Sequence, residues 1–276
     1  MTRFARCIVL IGAGMLVLAT TGCDKLRARD QLNKGVASYK NAKYEEAIDH
    51  FQNAVSLDPQ LLNAKLYLAT AFAQQYIPDA NTPENNHMAE QAINAYKSVL
   101  EQDPKNINSV KGIAYLYLNM HKFDQSKEYY LKAAQMDRND AEPYYSVGVI
   151  DWTQSYQPRV KARQELQLKS DEPIKDKKVC ETLKSQNWNI VQDGIDNLNK
   201  AMQLRPDYDD AMAYMNLMYR EKADLECGDA AARAEDLKTA DEWVDKTMAT
   251  KKAKAAKQPQ SQGITMDQPQ SNQPSQ

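Results

Sequence analysis

Residues able to do chemistry are sparse and scattered in this 276-residue sequence. The three histidines, His50, His87 and His121, are separated by stretches long enough to form whole helices, and none stands in an H-E-x-x-H zinc motif. We interpret them as surface residues and predict no metal site. The sequence also contains no G-x-S-x-G elbow, Walker loop, dinucleotide fingerprint or C-x-x-C pair.

Paired carboxylates are the remaining candidates for general acid–base catalysis, and two such pairs are Glu45-Glu46 and Asp209-Asp210. Both pairs stand where a helix is predicted to begin, and negative charge at that place complements the helix dipole. We therefore interpret them as structural residues. The sequence predicts no enzymatic activity, no cofactor and no small-molecule substrate.

Composition favours helix nearly throughout. Glycine is rare, with 9 residues, while Ala, Lys, Glu and Leu are abundant and β-branched clusters are few. The formal net charge is −2, and no basic patch indicates a nucleic-acid partner. We therefore predict an all-α protein that does not bind nucleic acid.

The first residues have the pattern of an export signal. Arg3 and Arg6 precede an apolar run from Cys7 to Ala19, which is too short to span about 30 Å of hydrocarbon comfortably. A cleaved signal over residues 1–22 is therefore favoured over a transmembrane anchor.

The end of this signal, Thr20-Thr21-Gly22-Cys23, resembles a bacterial lipoprotein lipobox, although Thr20 stands where Leu is commonest. The resemblance implies acylation of Cys23 and a lipidated tether over residues 23–27. It also implies a location in the cell envelope, anchored by lipid to a membrane and facing the periplasm, with the choice of membrane open. An uncleaved membrane tether is the alternative.

The stretch from Ala28 to Leu61 is the repeating unit of the chain. Small and large apolar residues recur in it at the offsets of two packed antiparallel helices. The positions that define the pattern are Gly35, Ala47, Phe51, Ala54 and Pro59. This unit resembles the tetratricopeptide repeat (TPR).

The resemblance extends along the chain and implies a right-handed TPR superhelix, an α-α solenoid of about five helix pairs. The expected repeats cover residues about 28–61, 62–106, 107–140, 141–208 and 209–253. In the second, Thr82-Pro83-Glu84 predicts a helix that begins near Pro83. The last repeat ends in a capping helix, about Ala230 to Ala253, and the polar, proline-containing residues 254–276 are predicted to be a disordered tail.

The fourth repeat is interrupted. Its first helix is predicted to end at about Gln154, and the TPR pattern resumes only at Gly194, so an insertion lies between Ser155 and Asn189. Its composition is polar, and we predict two short helices in it, Arg159 to Leu168 and Asp176 to Ser185.

Cys180 and Cys227 are the cysteines left once Cys7 is removed and Cys23 acylated. In a TPR superhelix, the turns between paired helices of adjacent repeats stack along one edge. Because both cysteines are expected in such turns, the resemblance makes them a disulfide candidate in an exported protein. Two buried free thiols are the alternative.

The TPR resemblance also places a partner site on the concave face. In the family, inward-facing side chains of the first helices form this groove, and here they are Asn63, Leu66, Thr70, Asn108, Lys111, Tyr115, Asn119, Tyr145, Val149 and Trp152. TPR domains that read a C-terminal carboxylate use a clamp for which Leu32 and Val36 are unsuitable. An extended or helical segment with apolar anchors is favoured instead. The competing interpretation is that the insertion folds into the groove.

Two functions follow from these features. The first is a non-enzymatic scaffold or assembly adaptor that holds envelope proteins while a lipid at its N-terminus contacts the membrane. The alternative is an accessory factor that binds or acts on cell-wall polymer through the insertion and the lysines before the tail. A purely structural spacer also remains open.

Overall fold

The computed structural model describes residues 22–80, 82–169 and 172–257, and these residues form ten helices and no strand. The predictions of an export signal and of a disordered segment beyond 257 lie outside the described residues. The helices are α1 (residues 22–40), α2 (Tyr44–Leu57), α3 (Leu62–Gln75), α4 (Pro83–Gln102), α5 (Ile107–Asn119), α6 (Phe123–Met136), α7 (Ala141–Glu165), α8 (Lys177–Leu204), α9 (Asp209–Asp224) and α10 (Ala230–Lys257). None of them is long and apolar enough to cross a membrane.

The helices stack in chain order. From α2 onward each helix packs against the next one, and the first helices of neighbouring pairs also touch, α3 against α5 and α7 against α9. Such nearest-neighbour packing is typical of a solenoid, in which no single central core exists. The apolar side chains accordingly form successive clusters along the stack.

Local sequence signals explain where several helices begin. Thr82 caps α4, because its hydroxyl accepts the backbone N–H of Asn85, and Pro83 takes the first helical position as predicted. Asn106 accepts the N–H of Ser109 in the same way at the start of α5.

Small residues let paired helices approach closely. A Cβ added to Gly35 would lie 2.5 Å from Cε1 of Phe51, and one added to Gly148 would lie 2.5 Å from Cγ of Leu198. These separations are below van der Waals contact, so a larger residue would push the helices apart. The paired helices therefore approach closely at both glycines.

The insertion in the fourth repeat differs from the prediction. Helix α7 does not end at Gln154 but runs for 25 residues through Pro158 to Glu165, and α8 runs for 28 residues from Lys177. The prediction of two separate short helices was therefore wrong, because the inserted residues lengthen both helices of the pair. Proline inside a helix costs about 3 kcal/mol, and burial of Ala162 and Leu183 in the lengthened pair offsets that cost.

The ends of the described stack are also more helical than predicted. Residues 23–27, expected to be a tether, belong to α1, and α10 continues four residues past Ala253 to Lys257. At the end of α10, Lys254 pairs with Asp209 at the start of α9. This ion pair gives the last turns of α10 a tertiary contact that the sequence pattern does not reveal.

Candidate binding surface

The ten residues predicted to line the groove lie on α3, α5 and α7, the first helices of three successive pairs. Asn63, Asn108 and Tyr115 are exposed, and the other seven are partly buried. None of the ten is fully buried. The described part of the inserted segment, in the extensions of α7 and α8, therefore leaves these side chains in contact with solvent.

Lys111 is held within the fold. Its Nζ lies 2.9 Å from Oδ2 of Asp140 and also bonds Glu142, at the start of α7. Burial alone would lower the pKa of Lys111, but these two carboxylates outweigh it and raise the pKa. Lys111 therefore fastens α5 to α7 and is not available to bind a partner's carboxylate.

Two more of the predicted groove residues brace their own helices. The hydroxyl of Thr70 donates to the carbonyl oxygen of Leu66 at 2.9 Å, and the Nδ2 of Asn119 donates to that of Tyr115 at 2.8 Å. The exposed amides of Asn63 and Asn108 are thus better placed to meet the backbone of a partner. Tyr115, 53% exposed, is the large apolar side chain that stands out from this part of the face.

Tyr145 and Trp152 belong to a continuous row of rings between α7 and α9, which we call the aromatic strip. The row is Tyr208, Tyr145, Tyr214, Trp152 and Tyr156, and successive ring centroids are 4.8, 5.7, 5.5 and 4.9 Å apart. The guanidinium of Arg205 lies 4.2 Å from the first ring centroid and that of Arg159 lies 5.5 Å from the last. The strip therefore has an arginine at each end and rings between them.

Three members of the strip were not among the predicted groove residues. Tyr156 lies in the extension of α7, Tyr208 immediately precedes α9, and Tyr214 lies in the second turn of α9. The recurrence of tyrosine at the start of two neighbouring first helices was the available signal. What the sequence could not supply is the contact between α7 and α9.

The side chains of the strip carry no charge, and one hydrogen-bond donor among them has no acceptor in the described part of the chain. Burial raises the pKa of Tyr145, Tyr208 and Tyr214, which keeps their hydroxyls protonated. Within the described residues, the buried Nε1 of Trp152 finds no acceptor. A buried donor without a partner costs free energy that an incoming carbonyl oxygen would recover.

A second cluster lies where the extension of α7 meets the end of α9. The Nε of Arg159 is 2.7 Å from Oε2 of Glu221, and Arg159 and Arg163 both reach Oδ2 of Asp224, at 3.1 and 2.8 Å. Burial raises the pKa of Glu221 to about 7, although Arg159 opposes that shift. The cluster joins the inserted residues to the last helix pair.

The two cysteines come together beside this cluster. A disulfide joins Cys180 to Cys227, whose Cα atoms are 5.4 Å apart. Contrary to the expected location between the paired helices, Cys180 lies in the first turn of α8, because the helix predicted to begin near Asp176 is continuous with the second helix of the pair. Cys227 lies in the turn between α9 and α10.

A cavity of about 320 Å³ opens next to the disulfide. Its apolar wall includes Ile174, Ala230 and Leu237, and Arg233 and Asp224 also line it. Because it lies at the edge of the stack, away from the predicted groove residues, it is separate from the concave face.

The residues first considered for catalysis occupy structural places. Glu45 and Glu46 lie in the first turn of α2, and Asp209 and Asp210 in the first turn of α9. The Nδ1 of His50 lies within hydrogen-bond distance of Oε1 of Gln31, at 2.8 Å. In the described ranges, no group of His, Cys, Asp and Glu side chains is arranged to hold a metal ion.

Comparison with known proteins agrees with this geometry. Models of the tetratricopeptide repeat match residues 28–61 and 86–147. The protein O-mannosyl-transferase TMTC3 of Homo sapiens is 31% identical over 118 residues, and its Mus musculus counterpart is equally similar. That match spans 41% of this chain but only 13% of the relative.

Several solved structures share the fold. A MamA protein superposes with a TM-score of 0.56 at 12% identity, covering 84% of this chain and 96% of that one. MamA from Desulfovibrio magneticus RS-1 gives 0.55 at 15% identity, covering 82% and 96%. YrrB, described as a TPR protein with an unusual peptide-binding site, gives 0.50 at 13% identity, covering 82% and 90%.

The chain thus contains tetratricopeptide repeats, and its fold is an all-α TPR superhelix. In this architecture, stacked helix pairs create an extended concave surface.

Proposed function

We propose that the protein is a non-enzymatic scaffold of the bacterial cell envelope, anchored by a lipid on Cys23, whose concave face binds an extended or helical segment of another envelope protein. The observation that carries the proposal is the exposure of Tyr115 on α5, together with the exposed amides of Asn108 on the same helix and of Asn63 on the neighbouring α3. Large rigid aromatics surrounded by polar groups are the residues that anchor peptide segments.

The anchoring part of the proposal rests on the sequence. The lipobox-like Thr20-Thr21-Gly22-Cys23 supports acylation, and the exposed Cys23 lies in the first turn of α1, which continues into the first repeat. A lipid at that place would hold the stack close to the membrane surface.

Site-specific photo-crosslinking in the source bacterium tests the binding face. We would introduce Tyr115→p-benzoylphenylalanine and, as a matched control, the same replacement at Ile77, which is 63% exposed but lies in the connection between α3 and α4. The expected result is one or a few defined protein adducts from position 115 that are absent from position 77.

Two outcomes would count against the proposal. Adducts of the same kind from both positions would place the interface elsewhere. Binding of the purified protein to isolated peptidoglycan, with no protein adduct from position 115, would favour the cell-wall accessory function instead.

A further inference from the structure

We propose that the cavity beside the disulfide is a second binding site, which takes a small carboxylate with an apolar body, such as a medium-chain fatty acid. The cavity borders the connection before α8, the end of α9 and the first turns of α10. A ligand in it would therefore join the inserted part of the fourth repeat to the last helix pair. Because the cavity is separate from the concave face, the inference does not depend on the proposed function.

The size and the walls of the cavity suit a small apolar body. Its volume of about 320 Å³ lies at the lower end of the range of small-molecule sites, about 300–1,000 Å³. At about 30 Å³ for each water-sized group, such a volume holds about ten non-hydrogen atoms. The apolar part of the lining consists of Pro173, Ile174, Ala223, Ala230, Ala234 and Leu237. An apolar chain that covers these walls gains the free energy of removing both surfaces from water.

The cavity is preformed, because its walls are held in place from two sides. The disulfide ties the turn at Cys227 to the first turn of α8. At the start of α10, Oδ1 of Asp229 accepts the backbone N–H groups of Ala231 and Ala232 at 3.1 and 2.9 Å. Gly228, whose φ is +94°, makes the sharp turn between these two anchors. A site that is already ordered loses less affinity to the cost of ordering.

The buried acids of the lining already have cationic partners within the fold. Oδ2 of Asp224 lies 3.1 Å from Arg159 and 2.8 Å from Arg163, both on α7. Oε1 of Glu226 lies 3.4 Å from Nζ of Lys222. These carboxylates are therefore neutralised from outside the cavity and do not favour a cationic ligand.

The cations of the lining determine the charge of the ligand. The exposed Lys175 has no ion-pair partner among the described residues. Arg233 also lines the cavity, and its Nε is 4.0 Å from Oδ1 of Asp224, so three guanidinium groups surround the carboxylates of Asp224 and Glu221. The remaining acid of the lining, Asp229, lies at the positive end of the α10 dipole. This surplus of positive charge favours an anionic group at the mouth of an otherwise apolar cavity.

Isothermal titration calorimetry of the purified full chain tests the proposal with octanoate, 1-octanol and octylamine. The three probes share one apolar body and differ in charge. We expect octanoate to bind with a Kd on the order of 0.1–1 mM. Octanol should bind about five-fold more weakly and octylamine more weakly still, because the cations of the lining repel it. Octanoate should also raise the melting temperature, since a ligand that binds only the folded state stabilises it.

Two pairs of variants locate the binding. Lys175→Glu should weaken octanoate binding about five-fold, whereas Lys178→Glu, at an exposed position outside the lining, should leave the Kd within about two-fold of the wild type. Ala234→Trp should abolish binding by filling the cavity, and Ala231→Trp, exposed on the same helix but outside the lining, should not. Melting curves without ligand establish that each variant is folded.

Four outcomes would overturn the inference: no saturable binding of octanoate, octylamine binding as tightly as octanoate, unchanged octanoate affinity in a folded Ala234→Trp protein, or equal losses in Lys175→Glu and Lys178→Glu. Each of them would leave the proposed function intact, because its crosslinking probe lies on α5. Conversely, failure to capture a partner from position 115 would not affect these titrations.

Discussion

The Nη1 of Arg163 lies 2.8 Å from Oδ2 of Asp224, and the two side chains are only 10% and 5% exposed. Arg163 comes from the extension of α7 and Asp224 is the last residue of α9, so the pair joins the inserted part of the fourth repeat to the last helix pair. A buried ion pair thus holds the inserted residues against the last helix pair.

Removal of the Asp224 carboxylate should lower the stability of the fold. In Asp224→Asn, Arg159 and Arg163 would keep their buried charges without the shared partner, and we expect the free energy of unfolding to fall by about 3 kcal/mol. Urea denaturation near neutral pH measures this loss in the free energy of unfolding. The control is Glu165→Gln, which breaks an exposed pair with Lys161 in the same helix and should cost less than about 0.5 kcal/mol. Equal effects in the two variants would contradict a stabilising role for the buried cluster.

The disulfide should contribute to stability through the loop it closes. Cys180 and Cys227 are 47 residues apart, and the chain-entropy estimate for such a loop is about 4 kcal/mol. We expect the double variant Cys180→Ser, Cys227→Ser to unfold at lower urea and to be insensitive to reductant. Peptide mapping without reductant should recover the two cysteines in one linked pair. Two free thiols in protein taken from the envelope would refute the bond.

The repeat pattern predicted the fold well where local contacts determine it. Gly35 faces Phe51 and Pro83 begins α4 because the residues that decide these features are close in the sequence. Pro158 misled the prediction, since a proline in a polar stretch usually ends a helix, and only burial in the lengthened α7–α8 pair overrides it.

The same distinction holds for the binding face. The residues on single helices, such as Tyr115, follow from the repeat register. The aromatic strip depends on how far α7 approaches α9, and the ion pairs of Arg159 and Arg163 depend on where the insertion returns to the stack. Neither the approach of α7 to α9 nor the return of the insertion to the stack is encoded in a local sequence pattern. Neither could therefore be predicted from the sequence.

Asp151 should make stability depend on pH. It is fully buried, its Oδ1 lies 2.7 Å from Nζ of Lys127, and burial raises its pKa from 3.8 to about 6 although Lys127 opposes the shift. Between those values the folded state holds a proton that the unfolded state has lost. The contribution of Asp151 to the free energy of unfolding therefore falls as pH rises from about 4 to about 6 and is constant above.

The measurement is urea denaturation across this pH range for the wild type and Asp151→Asn. We expect the wild type to lose up to about 3 kcal/mol relative to the variant. Asp193→Asn is the control, because Asp193 is exposed and lies 3.6 Å from the same lysine. Parallel pH profiles for wild type and Asp151→Asn would show that the carboxyl titrates normally.

Lipid attachment at Cys23 is open to direct measurement. Mass spectrometry of the mature protein should find residues 1–22 removed and an acylated cysteine at the N-terminus, and Cys23→Ser should move the protein from the membrane fraction to the soluble fraction. An intact Met1, or cleavage at another residue, would exclude the lipoprotein assignment.

The affinity of the concave face for its partner tests the central claim most directly. With the protein captured from position 115 as ligand, Tyr115→Ala should weaken binding by about 2 kcal/mol, close to 30-fold in Kd, while the melting temperature stays near that of the wild type. Tyr67→Ala is the control, because Tyr67 is also exposed but stacks on Phe51 of the preceding pair. Unchanged affinity in a folded Tyr115→Ala protein, or equal loss in both variants, would contradict binding through this face.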